Sequence, residues 1–174
     1  GDRPPELSMD RDPAATETID LTVVTPSYGY AHYLRDAIVS VAEQEGITVE
    51  HIIQDGGSTD GTVELLQELD DLVDWVSEPD DGQSDALNRG IARARGRWIA
   101  WLNADDLLLP HALERVAQAY ATNDGAPFYF GNGLRIDAQG ATKSEFFPSV
   151  PVTFDREALI YALGLSERPA ESAA

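Results

Sequence analysis

Cysteine is absent from this sequence, which excludes a disulfide framework and any thiolate metal site. Long apolar runs are absent as well, so no membrane-spanning helix is encoded. The first residues carry no basic stretch followed by an apolar one, and no secretory signal is read there. A soluble cytoplasmic protein is the expectation. Basic residues are scarce: 12 Lys and Arg stand against 31 Asp and Glu, a formal net charge of −19. Nucleic-acid binding relies on Lys and Arg to neutralise phosphates, so that partner is not expected. An anionic membrane surface is disfavoured for the same reason. Also missing is a glycine-rich, lysine-ending phosphate loop, which argues against an ATPase. The three histidines, His32, His51 and His111, have no partners at metal-ligand spacing. Most of the acidic residues are read as a solvated surface, and the exceptions must be found by position.

What is present is enough for one folded unit: 174 residues, 43% of them hydrophobic. Residues 1–18 are rich in Pro and charge without periodicity, and are expected to be a disordered leader. A domain is expected over 19–165 and a frayed tail over 166–174. Ile19–Thr25 reads as a buried β-branched strand stopped by Pro26. Ala31, Leu34, Ile38, Val41 and Ala42 then recur at helical spacing. Strands follow at Val49–Gln54, Val73–Ser77 and Trp98–Leu102. Helices fall between and after them at Val63–Leu69, Ser84–Ala94 and Ala112–Tyr120, with Pro110 opening the last. A further strand over Phe128–Ile136 and a short helix over Phe154–Leu163 complete the expected elements. Such alternation predicts an α/β fold, a mostly parallel Rossmann-like sheet with helices on both faces.

Ligands of open parallel sheets bind beyond the carboxyl ends of the strands, so the residues after each strand matter most. They are Thr25-Pro26-Ser27-Tyr28, then Asp55-Gly56-Gly57-Ser58-Thr59-Asp60-Gly61, then Glu78-Pro79-Asp80-Asp81-Gly82, then Asn103-Ala104-Asp105-Asp106. Three of these four segments carry clustered acids, and all four converge on one rim. Crowded carboxylates repel unless a cation joins them. Oxygen ligands suit Mg2+ or Mn2+, which use one or two carboxylates together with substrate phosphates. A metal would thereby link an acidic protein to an anionic ligand.

The segments PSYGYAHYLRDAIVSVAEQ, QDGGSTDGT, DDGQSDALNRG and WIAWLNADDLLLP, in this order, resemble family-2 glycosyltransferases of the GT-A fold. The similarity runs from about Ile19 to Ile136. It implies transfer of a sugar from a nucleotide-diphosphate donor, a UDP-sugar first, to a hydroxyl acceptor. By this resemblance Thr25, Pro26 and Tyr28 cradle base and ribose, and Asp55 hydrogen-bonds the base. Gly82, Ser84, Asp85 and Asn88 match the segment that closes over ribose and diphosphate, although Ser84 and Asp85 equally suit helix caps. Asn103-Ala104-Asp105 stands at the family's Asp-x-Asp motif, which makes Asp105 the implied metal ligand. Asn103 keeps a hydrogen-bonding role but is a weaker ligand than a carboxylate. Asp60 is read as a helix cap, Asp106 as a turn residue, and Trp75, Trp98 and Trp101 as packing.

Inverting members of the family use a carboxylate base after the last matched segment. Glu145, Asp155 and Glu157 are the nearby acids here, and none carries a motif, so no base is assigned. The acceptor half is expected to be short or missing, with exposed core faces covered by a partner or a second copy. Three readings follow: an active transferase, a non-catalytic donor-binding module derived from one, and an interaction domain that kept only the fold.

Overall fold

The computed structural model describes residues 19–122, 129 and 131–146. The expected leader, the Phe154–Leu163 helix, the tail, and the acids Asp155 and Glu157 lie outside these, as does the end of the 19–165 domain. The described residues belong to two compact units that divide between Gly125 and Ala126.

The first unit is built on strands β1 (Leu21–Ser27), β2 (Val49–Asp55), β3 (Asp74–Ser77) and β4 (Trp98–Trp101). They form one sheet in the order β3-β2-β1-β4, parallel throughout. Helices α1 (Ala31–Ala42), α2 (Thr62–Glu68), α3 (Gln83–Arg93) and α4 (Ala112–Thr122) alternate with the strands. Parallel strands require such crossovers, and helices on either side bury both faces of the sheet. The two central strands are accordingly buried along almost their whole length.

Side-chain alternation assigns the helices to faces. Ile53 of β2 packs with Leu34 and Ile38 of α1 and with Leu65 and Leu66 of α2. On the same face, Leu21 and Val23 join Val41 of α1 and Leu113 of α4. The opposite face presents Val24 and Ile52, and there α3 lies so close that a Cβ on Gly90 would fall 2.4 Å from Val24 Cγ1. Only a glycine permits that approach. Trp98 packs against the Leu21 cluster, its ring 4.7 Å from that of Tyr120, and the Arg97 guanidinium covers both rings. Trp101 is instead 42% exposed.

Two helix starts differ from expectation. The cap position of α2 is Gly61, with φ of 99°, and Asp60 before it accepts from the Thr62 N–H at 3.3 Å. Its carboxylate accepts from the Thr62 hydroxyl and from the Ala31 N–H at 3.0 Å, fastening α2 to the start of α1. Those bonds, led by Thr62, hold the Asp60 pKa below its usual value. Likewise α3 is capped by Gly82, leaving Ser84 and Asp85 inside the first turn.

In the second unit, β5 (Gly133–Ile136) and β6 (Thr142–Phe146) form an antiparallel hairpin. Its turn at Asp137–Gly140 is closed by the Gly140 N–H donating to the Asp137 carbonyl at 2.9 Å. Glu145 lies on β6.

Candidate functional site

All four parallel strands end on the same rim of the sheet, and a cleft of about 720 Å³ opens there. Its wall is drawn from every strand end: Pro26 and Ser27 at the end of β1 with Tyr28 after them, Gly56 after β2, Pro79 and Asp80 after β3, and Asn103, Ala104 and Asp105 after β4. Tyr30, the α3 cap residue Gly82, and Gln83 and Ala86 of α3 complete it. The convergence expected from the strand order is thus built.

The rim is held together by Asp55. Its carboxylate is fully buried. Oδ2 accepts from the N–H groups of Gly57 and Ser58, at 3.1 and 2.8 Å, and from the Ser77 hydroxyl at 2.6 Å. Oδ1 accepts from the Ser58 hydroxyl at 2.5 Å. Ser58 Oγ in turn accepts from the Gly29 N–H at 2.8 Å. One side chain thereby ties the loops after β1 and β2 to the end of β3. Buried carboxylates persist only when so bonded.

The eight residues expected at the site divide into two groups. Pro26, Tyr28, Asn103 and Asp105 line the cleft. Tyr28 is 70% exposed, so its ring is not spent on packing a loop. Thr25, Asp55, Ser84 and Asp85 do not line it. Thr25 is buried within β1, its hydroxyl 2.9 Å from His51 Nε2. Asp85 accepts from the Asp81 N–H at 3.2 Å and pairs with Arg89 at 2.7 Å. The Asp81 N–H and then Arg89 hold its pKa below the usual carboxylate value. Ser84 is exposed on the first turn of α3.

At the end of β4 the amide of Asn103 is a latch. Its oxygen accepts from Gln83 Nε2 at 3.1 Å and Trp101 Nε1 at 3.0 Å, and its nitrogen donates to Asp106 at 2.8 Å. Both amide lone pairs are used, so this oxygen has no capacity left for a cation. Asp106 makes the expected turn, its N–H donating to the Asn103 carbonyl at 3.1 Å. Asp105 differs from its neighbours: it is exposed on the cleft, with no hydrogen-bond partner among the described residues. No group of three or more His, Cys, Asp or Glu comes together for a metal among the described residues. That donor set fits a cation held by one carboxylate plus a ligand's phosphates, and does not fit an all-protein cage.

Asp80, Gln83 and Tyr30 line the cleft without having been singled out from the sequence. The turn-forming Pro79-Asp80-Asp81-Gly82 run after β3 was the available signal for Asp80.

The Glycosyl transferase family 2 model matches residues 22–143. The chain belongs to glycosyl transferase family 2. An uncharacterised glycosyltransferase of Nostoc sp. is 35% identical over 143 residues, 75% of this chain and 44% of that protein. This family-2 chain spans about half or less of the curated relatives it matches first. Among solved structures, S. aureus TarS 1-349 in complex with UDP-GlcNAc is similar over 61% of this chain and 32% of that one, with 19% identity and TM-score 0.56. A mannosyltransferase from Pyrobaculum calidifontis, in complex with GDP-Man and Mn2+, is 26% identical, with TM-score 0.54 over 58% of this chain and 32% of that one. The fold is that of the GT-A transferases. No helix among the described residues is long and apolar enough to cross a membrane.

Proposed function

We propose that the cleft at the carboxyl rim binds a nucleotide-diphosphate sugar, UDP-linked, and that the protein transfers the sugar to a hydroxyl acceptor. One observation carries the reading: Asp105 faces the cleft with a free carboxylate, while the side chains of Asp55 and Asn103 on the same rim are bonded within the protein. A charged group left unsatisfied at a cleft is matched to a ligand.

The residues take distinct roles. Tyr28 offers an exposed ring face for a base, with Pro26 beside it. Gly82 and Gln83 bring the start of α3 to the cleft, where the helix dipole and free N–H groups favour phosphate. Asn103 orients the segment before Asp105 through its bonds to Gln83 and Trp101. Thr25, Asp55 and Asp85 position the strand and helix ends from behind the wall, and Ser84 sits at the outer edge. Asp105 would hold Mg2+ or Mn2+. Such an ion, when bound, neutralises charge that develops on a leaving diphosphate. No described residue is assigned as the base. UDP-GlcNAc in one neighbour and Mn2+ in another support this choice of donor and cofactor.

The setting expected for this reaction is the cytoplasm. Self-association belongs to the same reading, since Ile99, Trp101, Leu107 and Leu109 are exposed on and just after β4. Sedimentation that gives a monomer at every concentration would remove that part. The binding claim is tested by calorimetric titration with UDP, with and without manganese. Manganese-dependent binding is expected; absence of binding in both conditions overturns the reading.

A further inference from the structure

Asp55, the carboxylate expected from sequence to meet the base, has no exposed oxygen to offer. Both are buried, and together they accept four hydrogen bonds. A different carboxylate reaches the cleft. Asp80 lines it, half-buried, with Oδ1 accepting from the Gly82 N–H at 2.8 Å. That bond fixes the carboxylate, and Oδ2 has no hydrogen-bond partner among the described residues. Oδ2 lies 3.0 Å from the point a Cβ on Gly56 would occupy, and Tyr28 Cδ2 lies 3.2 Å from the same point. The missing side chain at position 56 is the space that lets both groups close onto the cleft floor.

We propose that Asp80, admitted by Gly56, determines base specificity, its free oxygen accepting an N–H from the edge of a base that lies against Tyr28. The inference rests on the cleft being a nucleotide-diphosphate site, and it names which bases that site takes. An ionised carboxylate can only accept hydrogen bonds. Uracil presents an N–H at N3, whereas cytosine presents a lone pair there. A ring flanked by Tyr28 and edged by Asp80 therefore favours UDP over CDP, two ligands of equal charge and nearly equal shape. Partners left unmatched in a buried polar contact discriminate strongly.

The test is titration of the full chain with UDP and with CDP, in manganese, beside thermal melts. Wild type should prefer UDP by about tenfold or more, the range of a hydrogen bond to a charged group. Asp80→Asn should bring the two affinities close to parity, mainly by weakening UDP, with no change in melting temperature. Gly56→Val should lose the preference with Asp80 still present, because its side chain takes the carboxylate's place. An Asp80→Asn protein with the wild-type preference, or with UDP and CDP weakened equally, overturns the inference and leaves the cleft reading intact. Wild type that binds neither nucleotide overturns both.

Discussion

The two ends of the parallel sheet carry buried acids of similar kind and use them differently. At the amino end, Glu50 on β2 is buried and wholly engaged. It accepts from the Thr22 hydroxyl at 2.6 Å, from the Arg95 N–H at 2.9 Å and from the Arg95 guanidinium at 2.6 Å. Burial raises its pKa, but these bonds outweigh burial and hold it below the usual value. At the carboxyl end Asp55 is engaged as completely, yet it is surrounded by carboxylates that are not: Asp105, and one oxygen of Asp80. Both ends contain a hub that fixes loops. Both ends also open on a cleft that carries carboxylates, and at the amino end Asp71 is unbonded among the described residues. The carboxyl cleft differs in being larger, about 720 Å³ against about 430 Å³, and in drawing on all four strand ends.

The comparison can be broken most severely at its hubs. Asp55→Ala strips four hydrogen bonds, three from the loop after β2 and one from the end of β3, and should destabilise the protein by about 3 kcal/mol. Chemical denaturation would measure this, and a loss below about 0.5 kcal/mol would contradict the hub role. Titrating His51 sharpens the picture of the sheet between the two ends. The ring is buried against Thr25, and burial pushes its pKa down from 6.5 to about 3. The unfolded chain therefore binds the proton more readily, so stability should rise with pH from about 3 to 6.5 and level off above. At pH 5 the loss is about 2 kcal/mol relative to pH 7. Replacing His51 with Gln should flatten that slope in denaturation series across this window. Smaller again is Glu50→Gln, which keeps the Thr22 contact but weakens the pairing to a largely exposed Arg95. It should cost about 1 kcal/mol and leave UDP affinity unchanged. A loss of UDP affinity there would erase the distinction between the ends.

Much of this was legible in the sequence because the signals are local. The β-branched runs at Leu21–Val24 and Ile52–Ile53, separated by helical spacing from Ala31 to Ala42, leave few options besides a parallel α/β sheet. Pattern alone could also place Pro26, Tyr28, Asn103 and Asp105 on one rim, since each directly follows a strand. Sequence could not tell which carboxylates are free. Asp55 and Asp80 each follow a strand and precede a glycine within two residues. The difference lies in Ser58 and Ser77, whose hydroxyls fill Asp55, and in Gly56, which makes room for Asp80. The caps were misplaced for a related reason. Asp60 and Asp85 have the right residue type, but glycines with positive φ at 61 and 82 already turn the chain into each helix.

The most direct test removes a free carboxylate and leaves both hubs alone. Asp105→Ala, melted and then titrated with UDP in the presence and absence of manganese, separates binding from stability. Its side chain is exposed and bonded to nothing among the described residues, so stability should shift by less than about 0.5 kcal/mol. The manganese-dependent part of UDP binding should disappear. An Asp105→Ala protein that binds UDP with the wild-type response to manganese would contradict the account.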